Sequence, residues 1–118
     1  MNDGPHVLLI EDTPLEVDLA TTVLSDLYPG VPIVVVDNWM DAIKHIRGSV
    51  LVVIDWLLSY GVTAADAGAL DILDDMGIPH FVWTGKDDID SDVGCPVIHK
   101  GNGEELLQAV MALKAPSS

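Results

Sequence analysis

Five short apolar runs punctuate the chain, at His6 to Ile10, Val31 to Val36, Val50 to Ile54, Phe81 to Trp83 and Pro96 to Ile98. Several are rich in Val and Ile, and their hydrophobicity is nearly continuous. Such runs fit strands covered on both faces, as in parallel sheets. The segments between them carry helix signals. Thr13, Pro14 and Glu16 make a capping box with proline at the first helical position, and Leu15, Leu19, Val23 and Leu27 follow at steps of four. Gly30 ends that helix. Asn38 to Asp41 opens a second, with Trp39, Ile43 and Ile46 on one side and Gly48 after it. Thr63 to Asp66 repeats the capping pattern ahead of Leu70, Leu73 and Met76, closed by Gly77, and Asn102 to Glu105 does so ahead of Leu106, Val110 and Leu113.

Strands alternating with helices predict a doubly wound α/β domain, and right-handed crossovers place the helices on both faces of the sheet. No linker or internal repeat divides the chain, so residues 1–118 read as one domain, with 115–118 ("APSS") as a frayed tail. The stretch from Lys86 to Pro96 breaks the alternation. Asp87, Asp88, Asp90 and Asp92 leave it little apolar stripe, which predicts a loop or one short turn in place of a full helix.

Composition narrows the class. With 118 residues, 49% of them apolar, the chain can bury a core that needs neither disulfides nor a metal. Its single cysteine, Cys95, allows no intramolecular bridge and suits a reducing compartment. Nineteen acids against five bases give a net charge of -14, a surface that repels phosphate backbones and anionic lipid. Direct nucleic-acid binding and membrane association are therefore not expected. No apolar stretch approaches the roughly 20 residues of a membrane span. A soluble cytoplasmic protein is the expectation.

The strand ends carry the candidate chemistry. In an open parallel sheet, ligands bind beyond the carboxyl ends of the strands. Glu11 and Asp12 follow the first strand, Asp55 ends the third, Thr84 the fourth, and Lys100 stands after the fifth. Three clustered carboxylates repel one another unless a cation sits among them, and an oxygen-only donor set suits magnesium. A hydroxyl, an ammonium and a hard cation together suit the outer oxygens of a phosphoryl group.

On these residues the sequence resembles the receiver domain of two-component response regulators: "VLLIEDTPLEVDLA", "LVVIDWLL", "FVWTG" and "PVIHK". The resemblance implies a flavodoxin-like, five-stranded parallel sheet of order 2-1-3-4-5. It implies Asp55 as phosphoacceptor, with Asp55, Thr84 and Lys100 acting in catalysis. Glu11, Asp12, Asp55 and the carbonyl of Leu57 would hold Mg2+, while Trp56, Thr84, Gly85 and Lys100 would bind phosphate. Leu57, Lys86 and Val97 stand where the phosphoryl lifetime and the conformational response are modulated. The implied partners are a histidine kinase or histidine phosphotransfer protein and a downstream protein target. Within the family, "PHFVWTGKDD" resembles mostly single-domain receivers that carry a Phe-Ala-Thr-Gly-like motif and a short or missing fourth helix.

The chain also departs from the family pattern. No Met-Pro pair follows Asp55, Gly101 replaces the proline after the lysine, and Val97 replaces the aromatic switch residue. Two other readings remain open. One is an interaction module that works without phosphorylation. The other is a phosphatase with an aspartate nucleophile, like the haloacid dehalogenases; these need a second acid two residues on, where this chain has Leu57. His6, His45, His80, His99 and Cys95 have no zinc-ligand spacing and read as strand or surface residues. Trp39 and Trp56 read as packing residues.

Overall fold

The computed structural model describes residues 5–55, 68–84, 97–99 and 104–114. Their elements run β1 (His6–Ile10), α1 (Pro14–Leu27), β2 (Ile33–Val36), α2 (Trp39–Ile43), β3 (Ser49–Asp55), α3 (Ala69–Asp75), β4 (His80–Thr84), β5 (Val97–His99) and α4 (Glu104–Lys114). The strands form one parallel sheet of order β2-β1-β3-β4-β5, as the resemblance implies. Every residue of β1 is buried, as is expected of a strand covered on both faces.

Alternation along the strands divides the core in two. Leu8, Ile10, Val52, Ile54 and Val82 face α2 and α3, where Ala42, Ile46, Leu70 and Leu73 meet them. Val7, Leu9, Leu51, Val53, Phe81 and Trp83 face α1 and α4, against Ala20, Leu24, Leu106 and Val110. The helices thus lie on both sides of the sheet. None of the described helices is long and apolar enough to cross a membrane.

Several local expectations need correction. Thr13 is the N-cap of α1 and Pro14 follows it, but the Thr13 hydroxyl makes no capping bond. It donates weakly to Asp12 Oδ1 at 3.4 Å. The buried residues of α1 are Ala20 and Leu24, with Leu19, Val23 and Leu27 packed beside them, and Leu15 is 80% exposed. The expected stripe followed the largest side chains and passed over the alanine at its centre. At α2, Asn38 caps as expected, its side chain accepting from the Asp41 amide at 2.8 Å. The helix stops at Ile43, however, and Ile43 is exposed. The turns beyond it are tightened by i→i+3 bonds, such as His45 N to Ala42 O at 2.9 Å. Other groups take the next carbonyls: His6 Nε2, distant in the chain, donates to His45 O at 2.6 Å, and in a local turn the amide and hydroxyl of Ser49 donate to Ile46 O.

Leu70 and Leu73 are buried on α3 as expected, whereas Met76, at its C-cap, is exposed. Gly77 follows with φ +70, a left-handed conformation that glycine adopts without strain. Leu106 and Val110 anchor α4. The cap expected at Thr63 to Asp66, the segment from Lys86 to Pro96 and the tail at 115–118 lie outside the described residues, as does the side chain of Leu113.

Candidate functional site

Register places the acids. Ile10 pairs with Ile54, so Glu11 and Asp55 are the next residues of neighbouring strands, and Asp55 itself pairs with Trp83. Thr84, the residue after Trp83, closes β4 and is buried. The Glu11 amide donates to Val36 O at 2.9 Å, which fixes its backbone between β2 and β3. Asp12 lies one residue further, exposed in the loop ahead of α1. The first, third and fourth strands therefore deliver Glu11, Asp55 and Thr84 to one edge of the sheet.

The carboxylates converge. One oxygen each from Glu11, Asp12 and Asp55 lies within 4.8 Å of the other two. Their exposure is graded, with Glu11 only 2% exposed, Asp55 half-buried and Asp12 open. Burying a carboxylate beside two others combines a desolvation cost with like-charge repulsion, and a bound cation offsets both. With metal–oxygen distances of about 2.1 Å, an octahedral magnesium shell spaces its oxygens about 3.0 Å apart in adjacent positions and about 4.2 Å apart in opposite ones, so three oxygens within 4.8 Å of one another are near enough for one ion to draw all three into its shell. Exclusively oxygen donors, one of them exposed, also leave room for the waters that magnesium retains.

Thr84 is brought to this edge as the sequence predicts. β5 ends at His99, paired with Thr84 and one residue short of Lys100 in the sequence. Lys100 itself, with Trp56, Leu57, Gly85 and Lys86, lies outside the described residues. Val97 opens β5, half-buried against the cluster under α2 and α3. Sequence reasoning missed the Thr13 hydroxyl as a neighbour of Asp12; its only signal was adjacency.

No protein-family model and no curated protein matches the sequence. Solved structures do match. SdrG from Sphingomonas melonis Fr1 superposes with a TM-score of 0.70 at 23% identity, covering 94% of this chain and 99% of that one. The signal receiver domain of a Luxo repressor protein from Vibrio parahaemolyticus gives 0.71 at 25% identity, covering 93% and 88%. The fold is that of a response-regulator receiver domain. A third receiver-fold neighbour, response regulator Rcp1 in its Mn(2+)-bound form, gives 0.68 at 16% identity, covering 93% and 91%. Among the described residues of the present receiver fold, Glu11, Asp12 and Asp55 are the one acidic or metal-ligating cluster of this kind.

Proposed function

We propose that the protein is a phosphoacceptor receiver, which takes a phosphoryl group from a phosphohistidine on a partner protein onto Asp55 with Mg2+ as cofactor. The observation that carries the reading is the convergence of Glu11, Asp12 and Asp55 at the strand ends that also deliver Thr84. The P–N bond of the phosphoimidazole breaks as an Asp55 oxygen bonds to phosphorus, and the imidazole leaves after taking up a proton. A carboxylate is already ionised near neutral pH, so this nucleophile needs no general base. Glu11, Asp12, Asp55 and the Leu57 carbonyl would hold the magnesium, which when bound neutralises charge on the phosphoryl oxygens. The Thr84 hydroxyl, the Lys100 ammonium and the amides of Trp56 and Gly85 would receive those oxygens. By the resemblance, Leu57 and Lys86 occupy sequence positions that would tune how fast water removes the group. The donor is a histidine kinase or a histidine phosphotransfer protein. Leu15, exposed three residues beyond Asp12, offers it an apolar contact.

Intact mass tests the reading. After incubation with a small phosphodonor and magnesium, the native chain should gain one phosphoryl group and Asp55→Asn none. An equal gain in both would place the chemistry elsewhere.

One observation favours a second reading, a module that works without phosphorylation. Val97 is a small apolar residue half-buried in the core, with no ring to swing and no hydroxyl to donate. A phosphorylation-dependent response would then pass through Thr84 and the segment after Gly85. Amide shifts on phosphorylation that spread from β5 into α4, and contract toward Asp55 in Thr84→Ala, support the switch. Shifts confined to the phosphate shell in both proteins support the static module.

A further inference from the structure

Away from the carboxylate edge, Ile43, Lys44, Ile46 and Arg47 at the end of α2 and Ile72 and Met76 at the end of α3 enclose a groove of about 490 Å³. Among the described residues, four of the eight exposed large apolar ones, Met40, Ile43, Ile72 and Met76, lie on these two helices and their caps. Met40 continues the α2 side one turn before Ile43. This concentration decides where an apolar contact would form, since scattered exposed residues carry no such meaning.

The charged residues that line the groove are both basic, and exposed acids flank it on α3. Lys44 and Arg47 are two of the chain's five bases and both line the groove. Lys44 makes an exposed i,i+3 pair with Asp41 at 3.7 Å, whereas Arg47 makes no ion pair among the described residues. On α3, Asp71 and Asp75 immediately precede Ile72 and Met76. Both acids are exposed, and their i,i+4 spacing forms a stripe beside the apolar one. A foreign helix bearing acids would suit Lys44 and Arg47 but meet repulsion from Asp71 and Asp75. A basic one would suffer the reverse.

A second copy of the same chain suits both sets of charges. In a two-fold arrangement each surface meets itself inverted, so the bases lining the groove of one copy can face the acidic flank of α3 in the other, twice. We infer that the α2–α3 groove is a self-complementary surface through which two copies of this chain associate, Met40, Ile43, Ile72 and Met76 meeting at its centre and Arg47 opposing Asp75 at its rim. This surface is separate from the carboxylates and does not depend on the phosphoacceptor reading.

Sedimentation equilibrium at about 0.15 M salt, where a Debye length of roughly 8 Å screens the repulsion between two chains of net charge -14, measures the association. The expected association is weak, with a dissociation constant on the order of 10–100 micromolar. Arg47→Glu alone and Asp75→Arg alone should each weaken self-association at least about tenfold, because each sets like charges opposite one another twice. An equimolar mixture of the two variants should associate as the native chain does, because every rim contact then joins opposite charges. Both positions are exposed, so circular dichroism should report native folding in each. A native chain that stays monomeric up to about 1 mM overturns the inference. So does a mixture no more associated than its components. Should a labelled acidic amphipathic peptide bind the monomer and respond to Arg47→Glu alone, the groove belongs to a foreign helix.

Discussion

The two ends of the sheet treat their polar residues in opposite ways. At the amino ends every such side chain has a backbone carbonyl as partner: His6 Nε2 bonds His45 O at 2.6 Å, Ser49 Oγ bonds Ile46 O, and His80 Nδ1 bonds Ile78 O at 2.8 Å. The rings of His6 and His45 also meet edge to face, with centroids 6.5 Å apart. At the carboxyl ends three carboxylates gather instead. A polar group satisfied by a fixed carbonyl stabilises the fold in any solution. Like charges gathered together repel one another, and a counter-ion relieves that repulsion. The first edge is built for folding, the second for a ligand.

The largest expected effect breaks the carboxyl side. Asp12→Ala combined with Asp55→Ala should weaken magnesium binding at least about a hundredfold by calorimetry, since even outer-shell changes cost about 10–100-fold. Without metal, the same variant should melt above the native chain, because repulsion around Glu11 has been removed. A lower metal-free melting point would mean that the acids serve the fold. The amino side should respond in the opposite sense. His6→Ala removes a buried ring and its bond to His45, and should cost roughly 2–3 kcal/mol in denaturant unfolding while leaving magnesium affinity within about twofold of native.

The smallest effect sharpens the contrast through pH. Tyr28, at the C-cap of α1, has its phenol pushed above the usual value by burial. A raised acid favours the protonated form in the folded state, so this contribution is intact below the ordinary tyrosine value of about 10 and is lost as pH rises above it. Thermal melts at alkaline pH should show a shallower decline in Tyr28→Phe than in the native chain. Parallel declines would assign the loss to other groups.

The sequence made the central strands legible because burial on both faces writes β1, β3 and β4 as apolar runs, whereas the edge strand β2 is equally apolar but only partly buried; observed and expected bounds differ by one or two residues at most strand ends. The strand order was a different matter. Periodicity cannot say which strands are neighbours, and 2-1-3-4-5 came only through the resemblance. Helix faces were read less well. Leu15 and Ile43 looked like core residues because both are large and apolar, but one sits in the first turn of α1 and the other at the open edge of α2. The truncation of α2 was hidden because one of the contacts beyond it, His6 on the carbonyl of His45, is tertiary, and the local turn that Ser49 makes with Ile46 carries no strong sequence signal. At the candidate site, Glu11, Asp12, Asp55 and Thr84 could be named from strand ends alone. Their grading from buried Glu11 to exposed Asp12 could not, since it depends on how deep each loop leaves the sheet.

Trp83 has an optical consequence. Its indole is fully buried among the residues under α1 and α4, while its backbone pairs with Asp55 and its neighbour Thr84 belongs to the opposite face. With Trp39→Phe and Trp56→Phe, emission would come from this one ring, sealed from solvent quenchers, and its wavelength would report strain passing through β4. Ligand arrival at the carboxyl ends of the strands could then be followed in real time by light emitted from the core under α1 and α4.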